Sequence, residues 1–302
     1  MNFFKNFITP LLISFFLFKL IIPKLKLFIE DIPNNRSSHE EPKPTSGGII
    51  FSTVHALFNL INSDYNSLIS FPLAFFGFLD DKYHLKAVIR YVVQLIVCGF
   101  VVLQLNLNFS LLITLIIIIF GTSIINFTNF MDGIDGLVCG SMMILFITLA
   151  SINIVNLLPL VASLFIFIFW NWSPSKIFMG DSGSTYLGGI FFTSILQIRE
   201  FDNFLGMLIV SSPLYADAFF CVIRRFISGR NIFSPHKNHL YQRLQKAGYS
   251  HSKVSLIYIS CISILALFFL YGGLKYVIFP LVIEIVFLCY IDKKFAINFE
   301  SS

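Results

Sequence analysis

Charged side chains are scarce in this chain of 302 residues. Lys, Arg, Asp and Glu together make up 12% of it, 56% of the residues are hydrophobic, and the mean hydropathy is +0.82. Soluble globular domains carry about 25% charged residues. The composition therefore excludes a water-soluble globular domain and predicts a polytopic membrane protein, for which no nucleic-acid partner is expected.

The common glycine-rich and cysteine-based site patterns are also missing. The chain contains no Walker pattern, no GxGxxG and no GxSxG, so a nucleotide would not be bound by those loops and a nucleophile-elbow serine is excluded. The cysteines do not form a CxxC pair, and no histidine follows one of them at metal-ligand spacing. We interpret them as small buried apolar side chains; they are Cys98, Cys139, Cys221, Cys261 and Cys289.

Long apolar runs are what the chain has instead. About eleven of them are long enough for transmembrane helices or nearly so, and they predict an all-α polytopic protein with about 10–11 transmembrane helices in a single domain, 1–302. The first is expected to remain as an anchor, because it lacks a small-residue cleavage site. The runs lie near residues 3–22, 47–62, 67–80, 88–105, 109–127, 136–151, 154–171, 184–198, 204–223, 254–272 and 274–291.

Lys and Arg residues sort sharply between the two ends of these runs. All but three of the 21 lie in loops that follow an odd-numbered run, the exceptions being Lys5, Arg199 and Lys275. By the positive-inside rule, the loops after odd-numbered runs face the cytoplasm. The opposite loops are short, so no large external domain is expected.

Five aspartates lie in the same set of loops. Asp80 and Asp81 end the third run, Asp132 and Asp135 follow the fifth, and Asp181 follows the seventh. Each one alone is more simply interpreted as a solvated residue at the membrane surface. Together they would repel one another unless a cation joined them, and an oxygen-rich set of ligands suits Mg²⁺, with Mn²⁺ as the alternative, rather than zinc.

A magnesium ion held by few carboxylates usually shares its coordination shell with substrate phosphates, which favours phosphoryl chemistry at the membrane surface. Basic side chains in the same loops would balance a polyphosphate, although positive-inside topology alone also explains each of them. They are Lys43, Lys82, Lys176, Arg224 and Arg225.

Two further polar features leave alternatives open. His236 and His239 lie three residues apart in the last large loop, and their spacing alone is typical of solvent-facing histidines. Asp217 lies inside the ninth run, about two helical turns before Arg224 and Arg225. It is expected either to form an internal ion pair or to mark a route for a lipid phosphate.

Four separated motifs resemble one membrane family, the polyprenyl-phosphate N-acetylhexosamine-1-phosphate transferases. They are the Asp80-Asp81 pair, the stretch Asn-Phe-Thr-Asn-Phe-Met-Asp-Gly-Ile-Asp-Gly-Leu at 126–137, the stretch Pro-Ser-Lys-Ile-Phe-Met-Gly-Asp-Ser-Gly-Ser at 174–184, and the histidine loop from Ser234. They occur in the family's order, each at a cytoplasmic loop. The loop from Arg36 to Gly48 is also similar to the one before the second helix in these enzymes.

The resemblance implies transfer of a sugar 1-phosphate from a UDP-N-acetylhexosamine to undecaprenyl phosphate, with release of UMP. It implies a multi-pass protein of the bacterial inner membrane whose active site, on cytoplasmic loops, contacts membrane lipid, and it implies a homodimer.

The resemblance also implies roles for individual residues. Asp181 matches the family's first Mg²⁺ ligand and Asn129 a second. The implied catalytic residues are Asp80, Asp81, Asp132, Asp135 and His239, and the implied substrate contacts are Lys43, Asn126, Lys176, Arg225 and His236.

The chain departs from many relatives at the histidine loop. Where they carry His-x-His-His, this chain reads His239-Leu-Tyr-Gln242, so roles of the two missing histidines do not transfer. The loop is more similar to that of O-antigen initiating enzymes, which favours N-acetylglucosamine or a deoxy-N-acetylhexosamine over a muramoyl pentapeptide. The alternative function is an ion-coupled secondary transporter, but transporters hold such acids near the midplane of repeated halves, and no repeat is visible.

Overall fold

The computed structural model describes residues 3–33, 41–65, 67–106, 109–152, 155–231, 234 and 236–300. Within them the chain is almost entirely helical, and the only sheet among these residues pairs β1 (Glu30–Asp31) antiparallel with β2 (Lys43–Pro44). The helices are α1 (Thr9–Phe28), α2 (Gly48–Ile61), α3 (Phe71–Tyr83), α4 (Ala87–Gln104), α5 (Leu111–Met131), α6 (Leu137–Ser151), α7 (Leu158–Asn171), α8 (Gly180–Leu196), α9 (Phe201–Val210), α10 (Ser212–Ile227), α11 (Leu240–Lys246), α12 (His251–Gly272) and α13 (Leu274–Lys294).

Every predicted apolar run corresponds to a helix, and the all-α polytopic prediction is confirmed. The ninth run differs in shape, because it folds as two helices, α9 and α10, that meet at an angle of 69°. Pro213 stands in the first turn of α10, where its ring fits but cannot continue the hydrogen bonding of α9.

Fewer helices have the length and composition of a full membrane span than the eleven runs predict. In the part of the chain that is described, α4, α5, α12 and α13 meet that standard, and the bent pair α9–α10 makes a fifth. Helices α2, α6 and α7 are apolar but have only 14 or 15 residues. Helix α1 has 20 residues but contains Lys19, Lys24 and Lys26, which are costly in lipid.

Apolar side chains cover much of the outside of these helices. Leu111, Leu112 and Ile116 of α5 and Phe279 and Val286 of α13 are more than half exposed. A soluble protein would not leave continuous helix faces of this kind open to water. The exposed faces of α5 and α13 are therefore suited to contact with lipid.

Helix α8 forms the centre of the bundle. All of its residues from Ser182 to Ile195 are buried, and it packs between α2, α3 and α5. Small residues permit this close packing, since Gly183 lies against the backbone of Gly48 in α2. Because α3 and α5 end where α8 begins, the polar residues at these three helix ends are brought together.

The contact between α2 and α8 leads to a prediction about stability. A Cβ atom at Gly48 would overlap the backbone of Gly183, so Gly48→Ala is expected to destabilise the protein by about 1–3 kcal/mol. Thermal unfolding in detergent measures this as a lower Tm. Gly99→Ala is the control, because a Cβ there would meet Ile118 at an ordinary 3.9 Å. Equal Tm values for the two variants would contradict close packing at this crossing.

Candidate active site

The start of α8 is held by the carboxylate of Asp81, from the end of α3. Its two oxygens accept hydrogen bonds from the backbone N–H of Asp181 at 2.8 Å, the N–H of Ser182 at 3.4 Å and the hydroxyl of Ser46 at 2.6 Å. The first N–H groups of a helix have no partner within the helix, so a carboxylate satisfies them well. Gly180 has a φ of +70°, and a side chain there would collide with this carboxylate.

Arg90, in the first turn of α4, connects two of the predicted acids. Its Nη1 donates to Asp80 Oδ2 at 2.9 Å and to Asp181 Oδ2 at 3.0 Å. Asp80 is also held by the backbone N–H of Leu85, at 2.6 Å. The guanidinium therefore stands where a positive charge is needed between two carboxylates from different helices.

Asn129, near the end of α5, lies directly beside Asp181. Its side-chain amide donates to Asp181 Oδ1 at 2.8 Å and to the hydroxyl of Ser184 at 3.0 Å. These bonds use the amide hydrogens, and no described residue donates a hydrogen bond to the carbonyl oxygen of the Asn129 side chain, which is therefore available as a ligand group. The two residues predicted to bind metal are thus in contact, although 52 residues separate them in the chain.

The turn between α5 and α6 supplies two carboxyl groups with opposite behaviour. Burial raises the pKa of Asp132 well above its ordinary value, and the nearby charges of Asp181, Asp81 and Asp135 raise it further. Burial also acts to raise the pKa of Asp135, but hydrogen bonds from His251 and Ser175 outweigh it and lower the value to about 2.

Asp135 is therefore a carboxylate with its own partners. The hydroxyl of Ser175 donates to it at 2.8 Å and the Ser175 N–H at 3.2 Å, while His251 Nδ1 lies 3.3 Å from its Oδ2. This arrangement ties the α5–α6 turn to the segment before α8 and to the start of α12.

A cleft of about 630 Å³ opens above these groups. Its described lining includes Glu30, Asp31, Asp80, Asp81, His84, Arg90, Asn129, Asp132, Asp135, Asp181, Gln242 and His251. Most of the possible metal ligands in this lining are carboxylate or amide oxygens, and the acids outnumber Arg90, the arginine among them. A hard divalent cation prefers such oxygen ligands. The residues therefore fit a magnesium site made from Asp181, Asn129 and the neighbouring carboxylates.

The five residues predicted to contact substrate are not among the described lining residues. Lys43 Nζ donates to Ser175 at 3.1 Å, and Lys176 lies over the ring of Trp170. Asn126 exchanges hydrogen bonds with Gln94 of α4. Direct contacts of these three with substrate stay predictions.

The other two predicted contacts, Arg225 and His236, belong to a separate polar cluster. The guanidinium of Arg225 is buried and donates to Asn238, Asn231 and Ser234. The ring of His236 lies beside that of His239, with centroids 5.1 Å apart and the ring planes tilted by 31°. His239 itself is 2% exposed and does not line the described cleft, so its catalytic role and the substrate contacts of Arg225 and His236 stay predictions.

Asp217 does not form the predicted ion pair among the described residues, and the route for a lipid phosphate stays a prediction. Its carboxylate accepts the N–H groups of Leu240 and Tyr241 at 2.7 and 3.2 Å and the hydroxyl of Tyr258 at 2.7 Å. Among the described residues it forms no ion pair with Arg224, which pairs instead with Asp292 at 2.8 Å. Asp217 thus anchors the start of α11, where unpaired N–H groups attract a carboxylate.

Sequence reasoning missed several polar residues of the cleft, among them Glu30, Asp31, His84 and the two with contacts to the predicted acids, Arg90 and His251. Arg90 had a signal, since it stands in the first turn of the helix that follows the Asp80-Asp81 loop and so faces the same membrane surface. His251 had none, because it begins α12 without a motif and approaches Asp135 only through folding. Residues 36–40 of the predicted amino-terminal motif lie outside the described residues.

Comparison with known proteins gives one family match. The profile of glycosyl transferase family 4 matches residues 65–199, the part of the chain that contains the Asp80-Asp81 pair, the α5–α6 turn and the start of α8.

Curated relatives cover more of the chain. A probable undecaprenyl-phosphate N-acetylglucosaminyl 1-phosphate transferase of Bacillus subtilis is 30% identical over 266 residues, which cover 77% of this chain and 74% of the relative. An undecaprenyl-phosphate alpha-N-acetylglucosaminyl 1-phosphate transferase of Thermotoga maritima is 30% identical, with 77% and 79% covered. A phospho-N-acetylmuramoyl-pentapeptide-transferase of Thermotoga petrophila is 30% identical, with 69% and 77% covered.

Proposed function

This chain belongs to glycosyl transferase family 4, and from that premise we propose that it transfers N-acetylhexosamine 1-phosphate from a UDP-sugar to undecaprenyl phosphate. In the proposed reaction an oxygen of the lipid phosphate bonds to the phosphorus attached to the sugar. The bond from that phosphorus to the UMP oxygen breaks, so that UMP leaves and a lipid-linked diphosphate sugar remains. N-acetylglucosamine, which the names of two relatives specify, is the first sugar to test.

One observation carries this proposal, the meeting of Asp81, Asn129 and Asp181 at the ends of three different helices. Structural needs alone do not explain so many carboxylates in one cleft, because their mutual repulsion destabilises the folded protein unless cations enter. A Mg²⁺–diphosphate is a ligand that such a site would attract.

The bound magnesium would neutralise charge on the diphosphate and stabilise the leaving UMP. Asp181 and Asn129 would hold it, and Asp81 positions Asp181 by accepting its backbone N–H. Asp80 orients Arg90, whose guanidinium would be a charged hydrogen-bond donor to a phosphate group in the cleft. Burial and the acidic neighbours raise the pKa of Asp132, so positive charge entering the cleft would favour its ionised form.

The test of this function is release of UMP by purified protein in detergent. The expected result is Mg²⁺-dependent UMP release from at least one UDP-N-acetylhexosamine in a panel, and only when undecaprenyl phosphate is present. Chelation of the metal should stop the reaction and Mn²⁺ should restore part of it. If no donor supports release but the protein moves a UDP-sugar across liposomes, the secondary-transporter alternative replaces the transferase.

The proposal includes a location. The positive-inside rule favours a cytoplasmic active site in the bacterial plasma membrane, where soluble UDP-sugars are available. The lipid-linked product would serve as the first sugar of a cell-surface polysaccharide, and O-antigen is the first such polymer to examine.

Two substitutions of Arg90 distinguish the effect of its positive charge from the effect of the shape of its guanidinium group. Arg90→Ala is expected to lower kcat/KM by about 10²-fold, because the phosphate loses a charged donor and the Asp80–Asp181 contact loses its bridge. Arg90→Lys should recover part of the loss, since it restores the positive charge but not the planar guanidinium group. Steady-state UMP release measures both variants. Arg199→Ala is a control, because Arg199 is not among the described residues that line the cleft. Unchanged turnover in Arg90→Ala would exclude a role for Arg90 in the reaction.

A further inference from the structure

A second group of ligand-type side chains lies apart from the acidic cleft. Cys221 of α10 meets His236 and His239 of the following loop, and one ligand atom from each residue lies within 4.8 Å of the other two. Cys221 is 3% exposed and His239 is 2% exposed. Because 15 positions separate Cys221 from His236, the sequence pattern did not predict this group.

One nitrogen of His239 is buried without a full hydrogen-bond partner. Nδ1 of His239 is enclosed and forms no hydrogen bond of ordinary geometry with a described residue, although the side chain faces the Gln242 N–H in the first turn of α11. The nearest charged oxygen, Asp217 Oδ1, is 3.9 Å away, beyond hydrogen-bond distance, and Asp217 already accepts three other donors. An unsatisfied buried polar atom destabilises the folded protein, so a ligand at this nitrogen would be stabilising.

Burial disfavours the charged form of both histidines. Burial lowers the pKa of His236 to about 3, with help from His239 and Arg225. Burial also lowers the pKa of His239, where Arg225 and Arg243 act in the same direction and Asp217 opposes them. Neutral imidazole is the form that binds metal ions.

We propose that Cys221, His236 and His239 bind a thiophilic metal ion, with Zn²⁺ as the best fit. Sulfur and imidazole ligands suit zinc and exclude Mg²⁺. Three protein ligands leave a fourth tetrahedral position for water. Binding converts the Cys221 thiol to a thiolate and releases one proton to solvent, and the thiolate charge offsets part of the repulsion from Arg225 and Arg243.

The position of the site indicates what bound zinc would do. His239 immediately precedes α11, in which Tyr241 donates its hydroxyl to the Phe130 carbonyl at 2.8 Å, next to Asn129. Gln242, one residue further, lines the acidic cleft. A metal joining α10 to this loop would therefore hold α11 against the wall of the cleft, at a place separate from the magnesium ligands.

Cobalt titration tests the site directly, with a readout that does not depend on activity. The sample is purified protein in detergent, freed of transition metals and supplied with excess Mg²⁺ to fill the acidic cleft. It should bind one Co²⁺ and develop a thiolate-to-cobalt charge-transfer band. Addition of Zn²⁺ should remove this band. Cys221→Ser should lose the band and weaken Zn²⁺ binding at least about tenfold, as measured by competition with a chelating dye. Cys98→Ser is the matched control, a buried cysteine of α4, and should keep both.

Two outcomes would overturn the proposal, namely no charge-transfer band in the wild type or a band that survives in Cys221→Ser. Size-exclusion chromatography checks that the variants are folded. If Cys221→Ser does not fold, His236→Gln replaces it, because His236 is only partly buried and Gln is of similar size. Zn²⁺ affinity equal to wild type in a folded His236→Gln would also exclude the site.

Discussion

Asp181→Asn is expected to reduce sugar-phosphate transfer by about 10²–10³-fold or more. The substitution keeps the size and shape of the side chain but removes the negative charge with which Asp181 would hold Mg²⁺. Asp181 is not part of the apolar core, and its side chain is 25% exposed. The folded protein should therefore persist, with a Tm close to that of the wild type and a much higher Mg²⁺ requirement.

The measurement is UMP release over a range of Mg²⁺ concentrations, together with thermal unfolding in the same detergent. Asp202→Asn is the matched control, since Asp202 is an exposed acid in the first turn of α9 and does not line the described cleft. Near-normal turnover in Asp181→Asn at ordinary Mg²⁺ would remove Asp181 from the metal site.

Asp81→Asn is expected to reduce both activity and stability. The Asp81 carboxylate joins three segments, because it accepts hydrogen bonds from Ser46 and from the first turn of α8. An amide can accept at only one of its two polar atoms, so at least one of these donors loses its partner, at a cost of about 1–3 kcal/mol. Asp181 would then be misplaced, and a displacement of about 1 Å can lower a rate 10²-fold.

The comparison with Asp181→Asn gives this prediction its specificity. Asp81→Asn should lower Tm as well as kcat, while Asp181→Asn should lower activity alone. Ser46→Ala removes only one of the donors to Asp81 and should produce a smaller change in the same direction. If Asp81→Asn kept the wild-type Tm and lost turnover, Asp81 would act in the chemistry itself and not by positioning α8.

Much of the fold was predictable, because lipid imposes simple requirements on a chain. Each of the eleven apolar runs became a helix or, at the ninth, a bent pair, since backbone groups in lipid need internal hydrogen bonds. Helix lengths were less predictable. The interior of the bundle accepts helices of 10–17 residues, such as α7, because protein and not lipid surrounds much of their surface.

The candidate site was predictable for residues that carry charge within a motif. Asp80, Asp81, Asn129, Asp132, Asp135 and Asp181 all line or border one cleft, as their common membrane surface indicated. Lys43, Lys176 and Arg225 share that surface but not the cleft. Topology places a residue on one side of a membrane, and lateral packing of helices then decides which residues on that side meet.

The sequence by itself determined that this is a polytopic helical membrane protein of the glycosyl transferase 4 type, with its motif acids at one membrane face. Hydropathy, charge sorting and the order of motifs can be read along the chain, because they are local properties. Only the tertiary structure decided that Arg90 bridges Asp80 and Asp181, that Asp217 anchors α11, and that Cys221 meets two histidines. Those contacts depend on the packing of helices that are distant in the chain. The close approach of small residues in α8 helps to set that packing, and it has no signature in spacing or composition.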